Sequence, residues 1–173
     1  MDFQAIFDNF RSAVADHYFD MRGRVGRSQY WYFIAAYVAF SILAAILQSV
    51  VFLPLWAIYN LAMLLPVAGM GARRLQDTGH DGKLIWVFIA VGFVFQLLAV
   101  LAVLSAMSFA FMGVFAFLFF GPLLLLFGLI KLAFVVVTLV LIYFWCQPGD
   151  AGDNAYGPPP QAFDPSIRVP SSP

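Results

Sequence analysis

Ala72-Arg73-Arg74-Leu75-Gln76-Asp77-Thr78-Gly79-His80-Asp81-Gly82-Lys83 is a dense polar island between two long apolar stretches. The thirteen residues from Gly71 to Lys83 carry five formal charges, whereas the run that follows, Leu84 to Ile130, is uncharged for 47 residues. Apolar flanks of that length read as membrane helices. The island is therefore expected to be a loop, 71–83, that fixes orientation and presents the chain's chemistry at one membrane face.

Composition points the same way. The 173-residue chain is 63% apolar and 10% charged, with 20 Phe, against about 25% charged residues in soluble domains. So few charges do not cover a globule in water, and the solvent for most of the chain is expected to be lipid. Formal net charge is zero, so bulk charge suggests no nucleic-acid partner. All nine acids are Asp, which suits loops and caps better than exposed helix faces. The one cysteine, Cys146, permits no intrachain disulfide.

Towards the N-terminus, Leu55 to Met70 is apolar, interrupted by Pro66 and carrying Asn60 as its one amide. It makes a short span of roughly 16 to 18 residues. Pro54 separates it from Tyr30–Leu53, uncharged over 24 residues and about 36 Å long as a helix. No short apolar segment with a small-residue cleavage site precedes that run, which is expected to be retained as an anchor. At its mouth stand Arg22, Arg24 and Arg27, then Tyr30, Trp31 and Tyr32. Arginines here would meet lipid phosphates, with Tyr30 and Trp31 as interface anchors at headgroup level. Earlier still, Phe3, Ile6, Phe7, Phe10, Val14 and Tyr18 recur at helical spacing. They predict an amphipathic helix over 2–18, flat on the membrane surface or against the protein's own cytosolic face.

Towards the C-terminus, the apolar length predicts two helices, about Leu84 to Met107 and about Pro122 to Trp145, with Ser108 to Gly121 as turn or interfacial segment. Lys131 falls inside the last one. An intramembrane ammonium is either functional or snorkels to the headgroups. The tail from Gln147 is rich in Pro, Gly and Ser. Its turn residues up to Pro160 are spaced to fold back, and the remainder is expected to be disordered.

Four basic residues precede the first span, three lie in the island and none lies in either outer turn. The positive-inside rule then puts both termini and the island in the cytoplasm. The chain is expected to be an all-α membrane protein of four transmembrane helices in two hairpins. Residues 1–29 form the surface helix and arginine-rich mouth, 30–146 the membrane domain, and 147–173 a partly disordered tail.

Three segments carry a likeness to a known family: Gly23-Arg24, Arg27 and Tyr30-Trp31; Arg73-Arg74-Leu75, Asp77, Gly79 and Gly82; and Asn154, Tyr156-Gly157-Pro158. Together they resemble the bacterial inner-membrane family named domain of unknown function 805, over roughly Tyr18 to Pro160. Asp81 and Lys83 stand where that family carries Ser and Trp. The resemblance implies an address, the inner membrane, and no established activity.

With all three motifs on one side, Arg22, Arg24, Arg27, Arg73, Arg74 and Asp77 are expected to form a collar. Asp77 would clamp an arginine, and unpaired guanidiniums would bind an anion such as a phospholipid headgroup. Asp77, His80 and Asp81 supply ligand types but no second ligand cluster, so no metal or other cofactor and no catalytic residue is expected. The leading expectation is a non-enzymatic protein whose partners are membrane lipids, anionic ones foremost, or a membrane protein, a second copy of itself included. The alternatives are a small transporter or channel using Lys131 and an enzyme acting on a lipid phosphate.

Overall fold

Long uncharged runs favour the conformation that pairs every backbone polar group within its own segment, because lipid offers none. Helices are the result. The computed structural model describes residues 3–51, 53–94, 96, 114–161 and 163. Among them are five helices: α1 (Phe3–Ala15), α2 (Arg27–Val51), α3 (Leu55–Asp77), α4 (Leu84–Val94) and α5 (Val114–Cys146). Among the described residues three stretches are long and apolar enough to cross a membrane: Arg27–Val51, Leu55–Asp77 and Leu125–Cys146. The chain divides into two units, Met1–Lys83 with Trp145–Pro173, and Leu84–Phe144.

In the first unit α2 and α3 run antiparallel around the tight turn at Pro54. Gln48 Oε1 accepts the Trp56 N–H at 3.2 Å, satisfying one of the free donors at the start of α3. Tyr37 donates to Asn60 Oδ1, Asn60 Nδ2 donates to Trp56 O, and Tyr59 donates to Tyr37 O. The polar side chains of the apolar run are thus spent inside the helix pair. Pro66 has no N–H to give the Ala62 carbonyl four residues earlier. The Tyr18 hydroxyl takes its place, donating to Ala62 O at 2.6 Å.

Burial along α3 is lopsided. Trp56, Ile58 and Leu61 are exposed, whereas Ala68 to Ala72 and Arg74 to Asp77 are buried. The small residues there admit close neighbours, and the core gathers beside them: Ala13, Val25, Tyr30, Phe33, Met63 and Met70, flanked by Phe10, Trp31 and Trp145.

Two expectations change. The island is not a loop from residue 71, for α3 stays helical to Asp77 and only residues 78–83 turn. Two of its charges, Arg74 and Asp77, look loop-like in sequence but are paired and buried in the last turn of α3. The last helix, expected from about Pro122, is already formed at Val114, so the C-terminal part of the expected Ser108–Gly121 turn is helical. The uninterrupted apolar run carries the helix through Pro122. On α1 the buried residues are Asn9 and Ala13, whereas Phe3 and Phe7 are exposed. The expected span Leu84–Met107 is seen as helix over Leu84–Val94, and residues 97–113 lie outside the described residues, as does the tail end from 164.

In the second unit the Phe88 and Phe134 rings stack at 5.2 Å, and Gly92 faces the Phe134 ring. Many of the other large apolar side chains of α5 are exposed, Leu125, Leu129, Leu132 and Leu139 among them.

Candidate functional site

The antiparallel pair brings the start of α2 and the end of α3 together, and Trp145–Gln147 joins them. Asp77 lies at the centre. Arg24 donates from Nε to Asp77 Oδ1 at 3.0 Å, and its Nη2 stands 2.9 Å from the same oxygen. Arg74, one helical turn before Asp77, pairs through Nη1 with Oδ2. The side chains of Arg24, Arg74 and Asp77 are 1%, 0% and 3% exposed. Two guanidiniums therefore share one carboxylate in a dry setting, where an uncompensated charge is costly.

Carbonyl oxygens supply the compensation. Arg24 Nη1 donates to Gly152 O at 2.7 Å and Gly157 O at 3.2 Å, and its Nη2 donates to Asp150 O. Arg74 Nε donates to Trp145 O at 3.1 Å and its Nη2 to Gln147 O. These last acceptors are at the C-terminal end of α5, where free carbonyls carry the negative pole of the helix dipole. All the N–H directions of Arg24 are directed at protein oxygens, so this guanidinium is not open to an external anion.

The tail in turn caps α3. The Asp150 N–H donates to Asp77 O at 2.8 Å, and Asn154 Nδ2 donates to Gln76 O at 2.9 Å. Asn154 and Gly157 exchange backbone hydrogen bonds across a tight turn, and the Tyr156 N–H donates to Asn154 Oδ1. Gly157 has φ +123°, a conformation that L side chains rarely adopt. Pro158 follows it and is exposed. Further along, Ser28 Oγ donates to Phe163 O at 2.9 Å.

The remaining candidate residues are placed differently. Arg73 is half-buried; its Nη2 lies 3.1 Å from Met70 Sδ, and its Nε is buried without a hydrogen-bond partner. Arg27 is exposed and reaches Cys146 O at 3.5 Å, a weak contact. Arg22 is exposed as well. Its backbone N–H donates to Asp20 Oδ1 at 3.0 Å and holds that carboxyl below its ordinary value, with Arg73 and His17 adding to the effect against desolvation. Tyr30 is no headgroup anchor: it is 2% exposed, with its ring against Trp31 and Trp145 in the core. Trp31 is half-buried. His80 sits in the turn after α3, its Nδ1 3.1 Å from Thr78 Oγ1. Lys131 belongs to the second unit and is exposed on α5, six residues into the stretch Leu125–Cys146.

Gly149 escaped the sequence reading. A Cβ there would overlap the Asp77 carboxylate, so only glycine lets the tail close over the pair. The signal was the cluster Pro148-Gly149-Asp150, which reads as a turn without revealing what it covers. Trp145 was also missed as a site residue; its indole N–H donates to Gly71 O at 3.2 Å. Among the described residues no group of three or more His, Cys, Asp and Glu gathers to hold a metal ion.

This is the architecture of a helical membrane protein with a buried polar knot at one end of a helix pair. The chain belongs to the family described as "Protein of unknown function (DUF805)", which it matches over residues 18–158. It is similar to the "Inner membrane protein YhaI" of Escherichia coli strain K12, and equally to that of E. coli O157:H7. Each is 26% identical over 152 residues, covering 86% of this chain and 92% of the relative. No solved structure matches it.

Proposed function

We propose that the chain is a non-enzymatic inner-membrane protein of four spans in two hairpins, with both termini in the cytoplasm. In this reading its arginines do two separate jobs. Arg24 and Arg74, with Asp77, clamp the tail across the end of the first hairpin. Arg22 and Arg27, exposed beside the start of α2, engage anionic lipid headgroups. The observation that carries the division is the saturation of Arg24: Asp77 and three tail carbonyls take its guanidinium, and the exposed pair is not so engaged. Arginine beside a span is the residue type suited to phosphate oxygens. The address rests on the family and on the relatives' name, and the orientation on the basic residues around the first hairpin.

Native mass spectrometry of the purified protein tests the division. Arg22→Gln with Arg27→Gln is expected to lose most of the co-purified anionic lipid while leaving the tail docked. Retention equal to the wild type would contradict it.

A further inference from the structure

Helix α1 has three distinct sides. The buried one carries Asn9 and Ala13, and Asn9 Nδ2 donates to Gln29 O at 3.1 Å near the start of α2. At 100° per residue, Phe10, Phe3, Val14 and Phe7 follow on one flank, while Asp8, Gln4 and Arg11 lie on the other. The Phe10 ring fixes the level of the helix. Its centroid is 5.7 Å from that of Phe33 and 5.1 Å from that of Phe40. Those residues are about 9 and 20 Å along α2 from Arg27. At Phe10, therefore, the aromatic flank stands beside the membrane-crossing stretch, not below it.

Phe10 and Val14 on that flank pack against the core, whereas the other two rings are left open among the described residues. Phe3 is 79% and Phe7 54% exposed, and Phe19, just after the helix, is 62% exposed. The flank is continuous at Phe10 with the exposed apolar side of α2, where Phe40 is itself partly open. Phe7 and Phe3 follow Phe10 on the same flank, about 4.5 and 10.5 Å away along the helix axis. Asp8 and Arg11 cancel in charge, so α1 has no net electrostatic pull towards anionic headgroups.

We infer that α1 is a lipid-inserted element, with its Asn9/Ala13 side on the protein and its Phe3/Phe7 flank at the headgroup–acyl boundary of the leaflet where α2 begins. Its attraction is burial of apolar area, as for other interfacial helices. It selects lipid by access to the acyl region and not by charge, unlike the contact proposed for Arg22 and Arg27.

The test uses the full chain with Cys146→Ser, reconstituted in phosphatidylcholine vesicles, with an environment-sensitive fluorophore on Phe7→Cys or on Asp8→Cys. Both positions are exposed, so labelling does not disturb the core. Lipid carrying a shallow doxyl group is expected to quench position 7 several-fold more than position 8, with aqueous iodide showing the reverse order. Adding phosphatidylglycerol or salt is expected to change neither result. Iodide reaching both positions equally would overturn the inference. So would position 7 shielded from both quenchers, the signature of a second copy on this face, or lipid quenching that requires phosphatidylglycerol.

Discussion

At the scale of single residues, the site is organised by how many oxygens each guanidinium meets. Arg24 and Arg74 together outnumber Asp77 in charge, and five main-chain carbonyls make up the difference. Such an arrangement tolerates little change in shape. Gly149→Ala places a methyl group on the Asp77 carboxylate and is expected to cost about 1–3 kcal/mol, the range for overpacking a close-packed site. Thermal unfolding in detergent reads it, and an unchanged midpoint would show that the tail is not seated there. Asp20 supplies a pH signature. Its carboxyl is held below the ordinary 3.8, so its contribution is complete above that value and disappears as pH falls through the lower folded value. Asp20→Asn is expected to remove that part of the acid-side loss of stability and to leave the neutral-pH tail contacts intact. An acid profile identical to the wild type would contradict this.

At the scale of elements, α3 shows how a helix survives two faults. Pro66 deprives the Ala62 carbonyl of its donor, and the final turns carry charges that suit a loop. Tyr18 remedies the first and the clamp the second. Tyr18→Phe is expected to destabilise by about 1 kcal/mol, the usual net worth of one hydrogen bond. In a Pro66→Ala background, where the N–H returns, the loss should shrink towards zero. A double-mutant cycle by thermal unfolding checks it, and purely additive effects would contradict the assignment.

The same helix marks what could be read from sequence. The apolar runs flanking Pro54, and the helical spacing of Phe3 through Val14, depend on local pattern and were legible. The continuation of α3 to Asp77 was not, because it depends on Arg24 and on carbonyls of the tail, some 50 and 70 or more residues away. Which side of α1 meets the protein was not legible for a related reason. Periodicity locates an apolar flank, but Phe3 and Phe7 look the same whether they face protein or lipid. Tyr30 beside Trp31 fits an interfacial belt by type, but partners distant in sequence, Met70 and the Trp145 ring among them, hold it in the core.

At the scale of the molecule, the residues matched by the family, 18–158, begin at the tyrosine that repairs α3 and end just after the turn that closes on Arg24. The central claim is that three distant segments are held as one by the Arg24–Asp77–Arg74 clamp, with the tail as its lid. Hydrogen exchange at the Asp150 and Gly157 amides in the reconstituted protein, compared with Asp77→Asn, tests this most directly. Both amides are engaged in hydrogen bonds. They are expected to be protected in the wild type and to exchange much faster in the variant, since breaking a buried pair costs about 3–5 kcal/mol. The amides of α2 should be unaffected. If both tail amides exchange at the rate of a free peptide in the wild type, the clamp does not hold the tail and the account fails.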